Sequence, residues 1–275
     1  MIARDYITAW RARAPWVSDH QVEQDLVISR ALVQIFNVEG IGRRLAFRGG
    51  TALYKLYLRP AARYSEDIDL VQVTPEAIGD TFDAVRSVLD PWLGTPRRDL
   101  REGRVSLVYR FTSEDEPPKP LRLKIEVNSR EHFTEHGHVT LPVEVLSEWW
   151  SGRADVTTYS LDELLGTKLR ALYQRRKGRD LFDLWHGLTS AGASAERLVA
   201  CFGRYMREEG HQVTRAAFEE NLARKLADTP FRSDMTGLLR PGVAWDIDEA
   251  GAHVLAHVLA RLEGVPWRPP GPSHA

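Results

Sequence analysis

RGGTALYKLYLRPAARYSEDIDL, residues 48–70, sets two glycines and two aspartates into one short strand, turn, helix and strand. The apolar run Leu45-Ala46-Phe47 leads into it and reads as a strand. Gly49-Gly50 ends that strand, and Thr51 stands where it can cap a short helix through Leu58. From Ser65 to Val71, Ile68 and Leu70 alternate with Asp67 and Asp69, as a second strand would place them. The two aspartates then share one face.

Carboxylates at i and i+2 on a strand project side by side, close enough to chelate a hard divalent cation that wants oxygen ligands, Mg²⁺ above all. Taken alone, an Asp-x-Asp is more often a pair of solvent-facing strand charges. Gly49-Gly50 before a helix adds exposed backbone N–H groups and the positive end of a helix dipole, both suited to a triphosphate. Alone, the glycines fit an ordinary tight turn. Ser65 lacks the Gly-x-Ser-x-Gly context of a serine nucleophile and reads as a phosphate or nucleotide contact.

Working outward, Ser18 and Gln21 form a capping-box signature, and Val22, Leu26, Val33 and Phe36 continue a helix toward Gly40. Thr74-Pro75 reads as the start of a helix carrying Ile78, Phe82, Val85 and Leu89 up to Pro91. Val105/Leu107/Tyr109/Phe111 and Leu121/Leu123/Ile125/Val127 read as a hairpin, with Lys124 and Glu126 on the face opposite the leucines. Beyond Ser160 and Glu163, another capping-box pair, the pattern is helical, with later helices at Leu198/Phe202/Tyr205, Phe218/Leu222/Leu226 and Val254/Leu255/Val258/Leu262. The expected architecture is α+β: a small mixed sheet with flanking helices over residues 1–155, a helical C-terminal domain over 156–265, and a Pro-rich, frayed tail over 266–275.

Composition narrows the function classes. The 275 residues carry 37 Lys and Arg against 38 Asp and Glu, a net charge of −1, so any polyanion must meet a local patch rather than a global positive field. Cys201 is the single cysteine, which excludes an intramolecular disulfide or a thiolate metal cluster and fits a reducing cytoplasm. No run reaches the apolar length of a membrane span, and the first fifteen residues resemble no signal peptide, so a cytoplasmic protein without membrane contact is expected. The nine histidines show no zinc spacing. His132, His136 and His138 are expected in a loop after a strand, and Trp149, Trp150 and Trp185 read as packing residues or base-stacking platforms.

Residues 48–70 resemble the signature of the AbiEii/MenT nucleotidyltransferases, members of the polymerase β superfamily. The resemblance implies a polymerase β-type nucleotidyltransferase core, with Gly49, Gly50, Thr51 and Ser65 contacting the nucleotide and Asp67 and Asp69 holding Mg²⁺ in a two-metal arrangement. In LKIEVN, residues 123–128, Glu126 is the candidate third carboxylate of the superfamily. A cross-strand pair with Lys124 on a wet face fits it equally well.

A second block, SLDELLGTKLRALYQRRKGRDLFDLW, residues 160–185, resembles the motif in which these toxins keep an essential lysine and a downstream aspartate. Lys168 interrupts the apolar stripe of Leu161, Leu164, Leu165 and Leu172, and a charge there needs an anionic partner, the triphosphate being one candidate, or must snorkel to water. Asp180 and Asp183 lie one turn apart on the next helix, and Asp180 is favoured to position Lys168 or the metal. Arg48, Arg175, Arg176, Lys177 and Arg179 are candidate RNA phosphate contacts; Arg43 and Arg44 stand just before the glycine corner. What the resemblance implies is an enzyme moving a nucleotide from an NTP to an acceptor, the 3′ end of tRNA, as a toxin with a cognate antitoxin partner. Transfer to a small molecule or protein, or a non-catalytic module on the same scaffold, are the alternatives.

Overall fold

The computed structural model describes residues 2–269. The chain divides into two compact units, Met1–Ser160 with Leu238–Val243, and Leu161–Gly237 with Ala244–Ala275.

The first unit opens with α1 (Arg4–Trp10) and α2 (Asp19–Phe36), and the Ser18/Gln21 capping box is formed at the start of α2. A single turn, α3 (Ile41–Arg44), leads into β1 (Leu45–Arg48). The helix that follows starts at Gly49, as α4 (Gly49–Ala52), and continues as one π-type turn (Leu53–Tyr57). Thr51 is therefore not the cap. Its hydroxyl donates instead to the Asp67 carbonyl at 2.5 Å and lies 2.9 Å from Ser65 Oγ, tying the helix to the strand it faces.

β2 (Asp67–Gln72) comes next, followed by α5 (Gly79–Leu93). The start expected at Thr74-Pro75 comes later because Gln72 Nε2 donates to the Glu76 carbonyl at 2.7 Å and the residue before a proline is held extended. Pro91 does not end α5, which runs on to Leu93 while the Trp92 indole donates to the Val88 carbonyl at 3.2 Å.

β3 (Arg97–Arg101), β4 (Arg104–Thr112), β5 (Pro120–Asn128), β6 (His138–Leu146) and β7 (Ser151–Tyr159) complete the sheet. Among the described residues its seven strands run in the order β3-β4-β5-β2-β1-β7-β6. The expected β4–β5 hairpin is present, with Val105 opposite Val127 and Leu107 opposite Ile125. β6 and β7 pair over nine residues beyond the segments expected as strands, and His138 begins β6 rather than lying in a loop.

One face of the sheet forms the core. Phe47, Ile68, Leu70, Leu107, Leu123 and Ile125 are each no more than 1% exposed, and α2 and α5 pack in the same unit with Leu26, Ile28, Phe82 and Leu89. Each such side chain contributes about 2 kcal/mol of transfer free energy. The alternation that buries Ile68 and Leu70 is what leaves Asp67 and Asp69 on the other face.

The second unit is helical, with α6 (Leu161–Gln174), α7 (Gly178–Ser190), α8 (Ala195–Glu208), α9 (Arg215–Leu226), α10 (Thr229–Ser233), α11 (Ile247–His257) and a 3₁₀ turn (Leu259–Arg261). Cys201 is fully buried, and a side chain on Gly166 of α6 would stand 2.5 Å from its Cβ, so the glycine lets α6 and α8 approach closely. Of the tail expected to fray, residues 270–275 lie outside the described residues; just before them, the Trp267 amide donates to Glu219 Oε2 at 2.7 Å, which holds that part of the segment. No described helix is long and apolar enough to cross a membrane.

Candidate active site

Asp67 and Asp69 occupy the first and third positions of β2, half-buried, with Ile68 and Leu70 turned into the core. Asp67 Oδ1 is buried and has no hydrogen-bond partner. Burial first, then the Asp69 charge, then Glu66, push the Asp67 carboxyl up to about 6. An unpartnered carboxylate oxygen beside a second carboxylate is the donor set of a divalent cation. Among the described residues no three metal-ligating side chains converge into a ready-made cage. Mg²⁺ usually takes one or two protein carboxylates and completes its shell with water and substrate phosphates.

The glycine corner is shaped around this pair. Gly49 has φ +83°, a conformation that L side chains rarely adopt. An added Cβ there would stand 2.2 Å from Asp69 Oδ2, so only glycine lets the carboxylate lie against the backbone. At Gly50 an added Cβ would stand 2.5 Å from Arg63 Nη2 and 3.0 Å from Ser65 Oγ. Thr51, Ser65 and Asp67 are joined by the hydroxyl contacts described above. Helix start, serine and acid pair are thus one packed assembly, with first-turn amides that have no intrahelical acceptor.

Glu126 stands directly abreast of Asp69, because β2 and β5 run parallel with Asp67 beside Lys124 and Asp69 beside Glu126. Its oxygens are held by Lys124 and, at 3.0 Å, by Arg104. The expected pairing of Glu126 with Lys124 is present, within one strand, and Arg104 adds a cation from the neighbouring strand.

Arg48 lies opposite Asp69 across β1 and β2 and is ion-paired with Glu131. Burial works against the guanidinium charge, but Glu131, with Tyr159 and Asp69, outweighs it and raises its pKa. Arg63 carries no signal in the sequence that would single it out. It is 2% exposed, donates to its neighbour Tyr64's carbonyl at 3.0 Å and lies over the Tyr54 ring at 4.9 Å. Leu238–Val243 returns to this segment: the Tyr64 amide donates to the Leu238 carbonyl and the Arg240 amide to the Ala62 carbonyl. The backbone leading into Ser65 is clamped by a segment far along the chain, which no local pattern announces. A cavity of about 350 Å³ opens beside Thr51, Arg63 and Ser65, with Trp10, Asp25 and Lys55 in its wall. There the Trp10 indole and Lys55 Nζ donate to Asp25 at 2.9 and 2.7 Å.

In the second unit, Lys168 of α6 is buried and meets Asp183 at 2.9 Å and Asp180 at 3.3 Å, both carboxylates on α7 with no exposure. Arg175 adds a two-pronged contact to Asp180, 2.7 Å on each oxygen. The lysine on the apolar stripe thus has its anionic partners within its own unit. Lys177 and Arg179 face Asp234 at 3.5 and 3.2 Å, and Arg176 is exposed. Of the histidines, His132 Nδ1 lies 2.9 Å from the Gln72 carbonyl and His138 packs against Tyr159. Trp149 and Trp150, with Trp92, surround the Arg30 guanidinium at 4.0 to 5.7 Å, while Trp185 packs with Phe182 and Trp245.

The fold is similar to that of MenT4, a nucleotidyltransferase toxin from Mycobacterium tuberculosis, with TM-score 0.68 and 18% identity over 96% of this chain and 91% of that one. A putative nucleotidyltransferase from Helicobacter pylori matches with TM-score 0.56 and 17% identity over 88% and 94%. Another protein of that organism, JHP933, matches with TM-score 0.54 and 17% identity over 87% and 90%. At these identities the likeness is one of fold. No curated protein sequence matches. The family model for the nucleotidyl transferase AbiEii toxin of type IV toxin–antitoxin systems matches residues 30–253, which hold both the acid pair and Lys168. The chain belongs to the AbiEii nucleotidyltransferase toxin family.

Proposed function

We propose that this protein transfers a nucleotide from an NTP to the 3′ hydroxyl of an RNA acceptor, tRNA first among them, and that a cognate antitoxin restrains it in the cytoplasm. The observation that carries the reading is the unpartnered, buried Asp67 Oδ1 beside Asp69 at a corner where only glycine fits.

Asp67 and Asp69 would hold Mg²⁺, which when bound offsets phosphate charge and polarises the phosphoryl group being transferred. Gly49 and Gly50 supply first-turn amides to phosphate oxygens, and Ser65 and Thr51 add hydroxyls. The acceptor hydroxyl attacks the α-phosphorus in line, the new O–P bond forms as the bond to pyrophosphate breaks, and the acceptor proton passes to solvent. Glu126, abreast of Asp69, is the third carboxylate of the set. From the second unit we assign Lys168 to triphosphate binding, with Asp180 and Asp183 as its positioning residues; the likeness of residues 160–185 to the family motif supports this. Blocking a tRNA 3′ end in this way would prevent aminoacylation and stop translation.

The reading is tested by incubating the protein with each labelled NTP, Mg²⁺ and either total tRNA or a pool of small metabolites, then sizing the labelled products. Label entering tRNA is the expected result. Label entering only the metabolite pool would assign the small-molecule alternative.

A further inference from the structure

The register of the sheet decides which side chains share the face of Asp67 and Asp69. β5 sets Lys124 beside Asp67, and its Arg122 lies opposite Arg110 of β4. β4 in turn sets Arg104 opposite Arg101 of β3 and Val108 opposite Arg97. Directly paired residues point to the same side of a sheet, so Arg97, Arg101, Arg104, Arg110, Arg122 and Lys124 all lie on the aspartates' side. All are exposed except Lys124, which is half-buried. On that side, β3, β4 and β5 oppose these six cations with only two carboxylates, Asp99 and Glu126, in a chain whose net charge is −1.

Arginines on an edge strand can simply guard it against pairing with another chain. That accounts for β3 but not for β4 and β5, which are interior strands. Nor does it account for the pairing itself. Arg101–Arg104 and Arg110–Arg122 are like charges placed directly opposite each other, an arrangement that on its own destabilises a sheet and that a bound anion would relieve. Arg97 and Arg110 have no carboxylate partner among the described residues. Arg101 and Arg122 hold exposed ion pairs with Asp99 and Glu66, which contribute little and exchange readily for phosphate oxygens, while Arg104 meets the half-buried Glu126 at 3.0 Å. By contrast, Arg48, Arg175, Lys177 and Arg179, which the sequence picks out as RNA contacts, each already face a carboxylate.

We infer that this arginine face is the track along which the phosphate backbone of the RNA acceptor reaches the acid pair, running from β3 across β4 and β5 to β2. Three strand spacings span roughly 14 Å. The contacts are to phosphates, so the track orients RNA without reading its sequence. The inference rests on the RNA-acceptor reading above and adds to it the surface that does the holding.

The test uses the full chain and total tRNA. Wild type, an Arg97→Ser/Arg101→Ser/Arg110→Ser variant and an Arg176→Ser/Lys177→Ser variant are compared by tRNA affinity over a KCl series, by NTP affinity, and by label transfer. The triple variant is expected to bind tRNA at least tenfold more weakly, with a salt slope shallower by about 2, since each neutralised single-strand phosphate accounts for roughly 0.7 of slope. Its NTP affinity and its transfer rate at saturating tRNA stay at the wild-type level, and the Arg176/Lys177 variant binds tRNA more tightly than the triple variant does. Wild type that labels RNA while the triple variant matches it in affinity and slope overturns the track alone. Wild type that neither binds nor labels RNA overturns the acceptor reading and the track with it.

Discussion

A side chain at Gly49 would have to occupy the place of the Asp69 carboxylate: its Cβ would stand 2.2 Å from Asp69 Oδ2. Backbone and acid are fitted to each other, and the positive φ of Gly49 adds a second reason for glycine. Gly49→Ala is therefore expected to destabilise the protein by about 1 to 2 kcal/mol, from the left-handed conformation and the displaced carboxylate together. Nucleotidyl transfer should fall at least a hundredfold. Urea unfolding and labelled-NTP transfer measure the two effects separately, and a variant with wild-type activity would show that the close approach is incidental.

Asp67 yields a pH dependence. Its carboxyl titrates at about 6 in the folded protein, raised first by burial, against an ordinary value of 3.8. Between those values the folded state holds a proton that the unfolded chain has released, so the metal-free protein loses stability as pH rises through roughly 4 to 6. Asp67→Asn removes that penalty. The variant should melt above metal-free wild type at pH 7.5 and level with it near pH 4, and equal melting temperatures at both pH values would contradict the assignment.

Lys168 and its two aspartates form a buried charge cluster, and removing one member leaves the rest uncompensated. Lys168→Met is expected to cost about 3 kcal/mol of stability, and the double variant with Asp183→Asn less than the sum of the two single changes. A double-mutant cycle in urea tests this. Strict additivity would mean that the lysine and Asp183 do not act on each other.

Local patterns expose much of this molecule. The alternation at Ile68 and Leu70 places the acid pair on a strand, the Ser18 box marks α2, and the β4–β5 hairpin is legible as two alternating segments. Thr51 reads as a cap because capping propensity is local, whereas its hydroxyl is claimed by Asp67 and Ser65 sixteen and fourteen residues on. β7, SGRADVTTY, escapes notice because it carries few apolar residues, whereas in β6 Val139, Leu141, Val143 and Val145 do alternate and Pro142, tolerated at this edge of the sheet, is what argues locally against a strand. Arg63 looks like one more surface charge; its burial beneath the returning backbone is accompanied by a hydrogen bond to the Tyr64 carbonyl and the face of the Tyr54 ring, neither of which local sequence announces. The arginine face is likewise invisible in the sequence, since Arg97 and Arg122 come together through strand pairing rather than through proximity along the chain.

Everything functional rests on Asp67 and Asp69 acting together on a metal-bound NTP, and Asp69→Asn tests that most directly, because it removes a charge and almost no volume. Wild type and variant, matched for folding by circular dichroism, are given labelled NTP, Mg²⁺ and total tRNA. Labelled RNA is expected from the wild type and none from the variant. Equal labelling by a folded Asp69→Asn protein would contradict this.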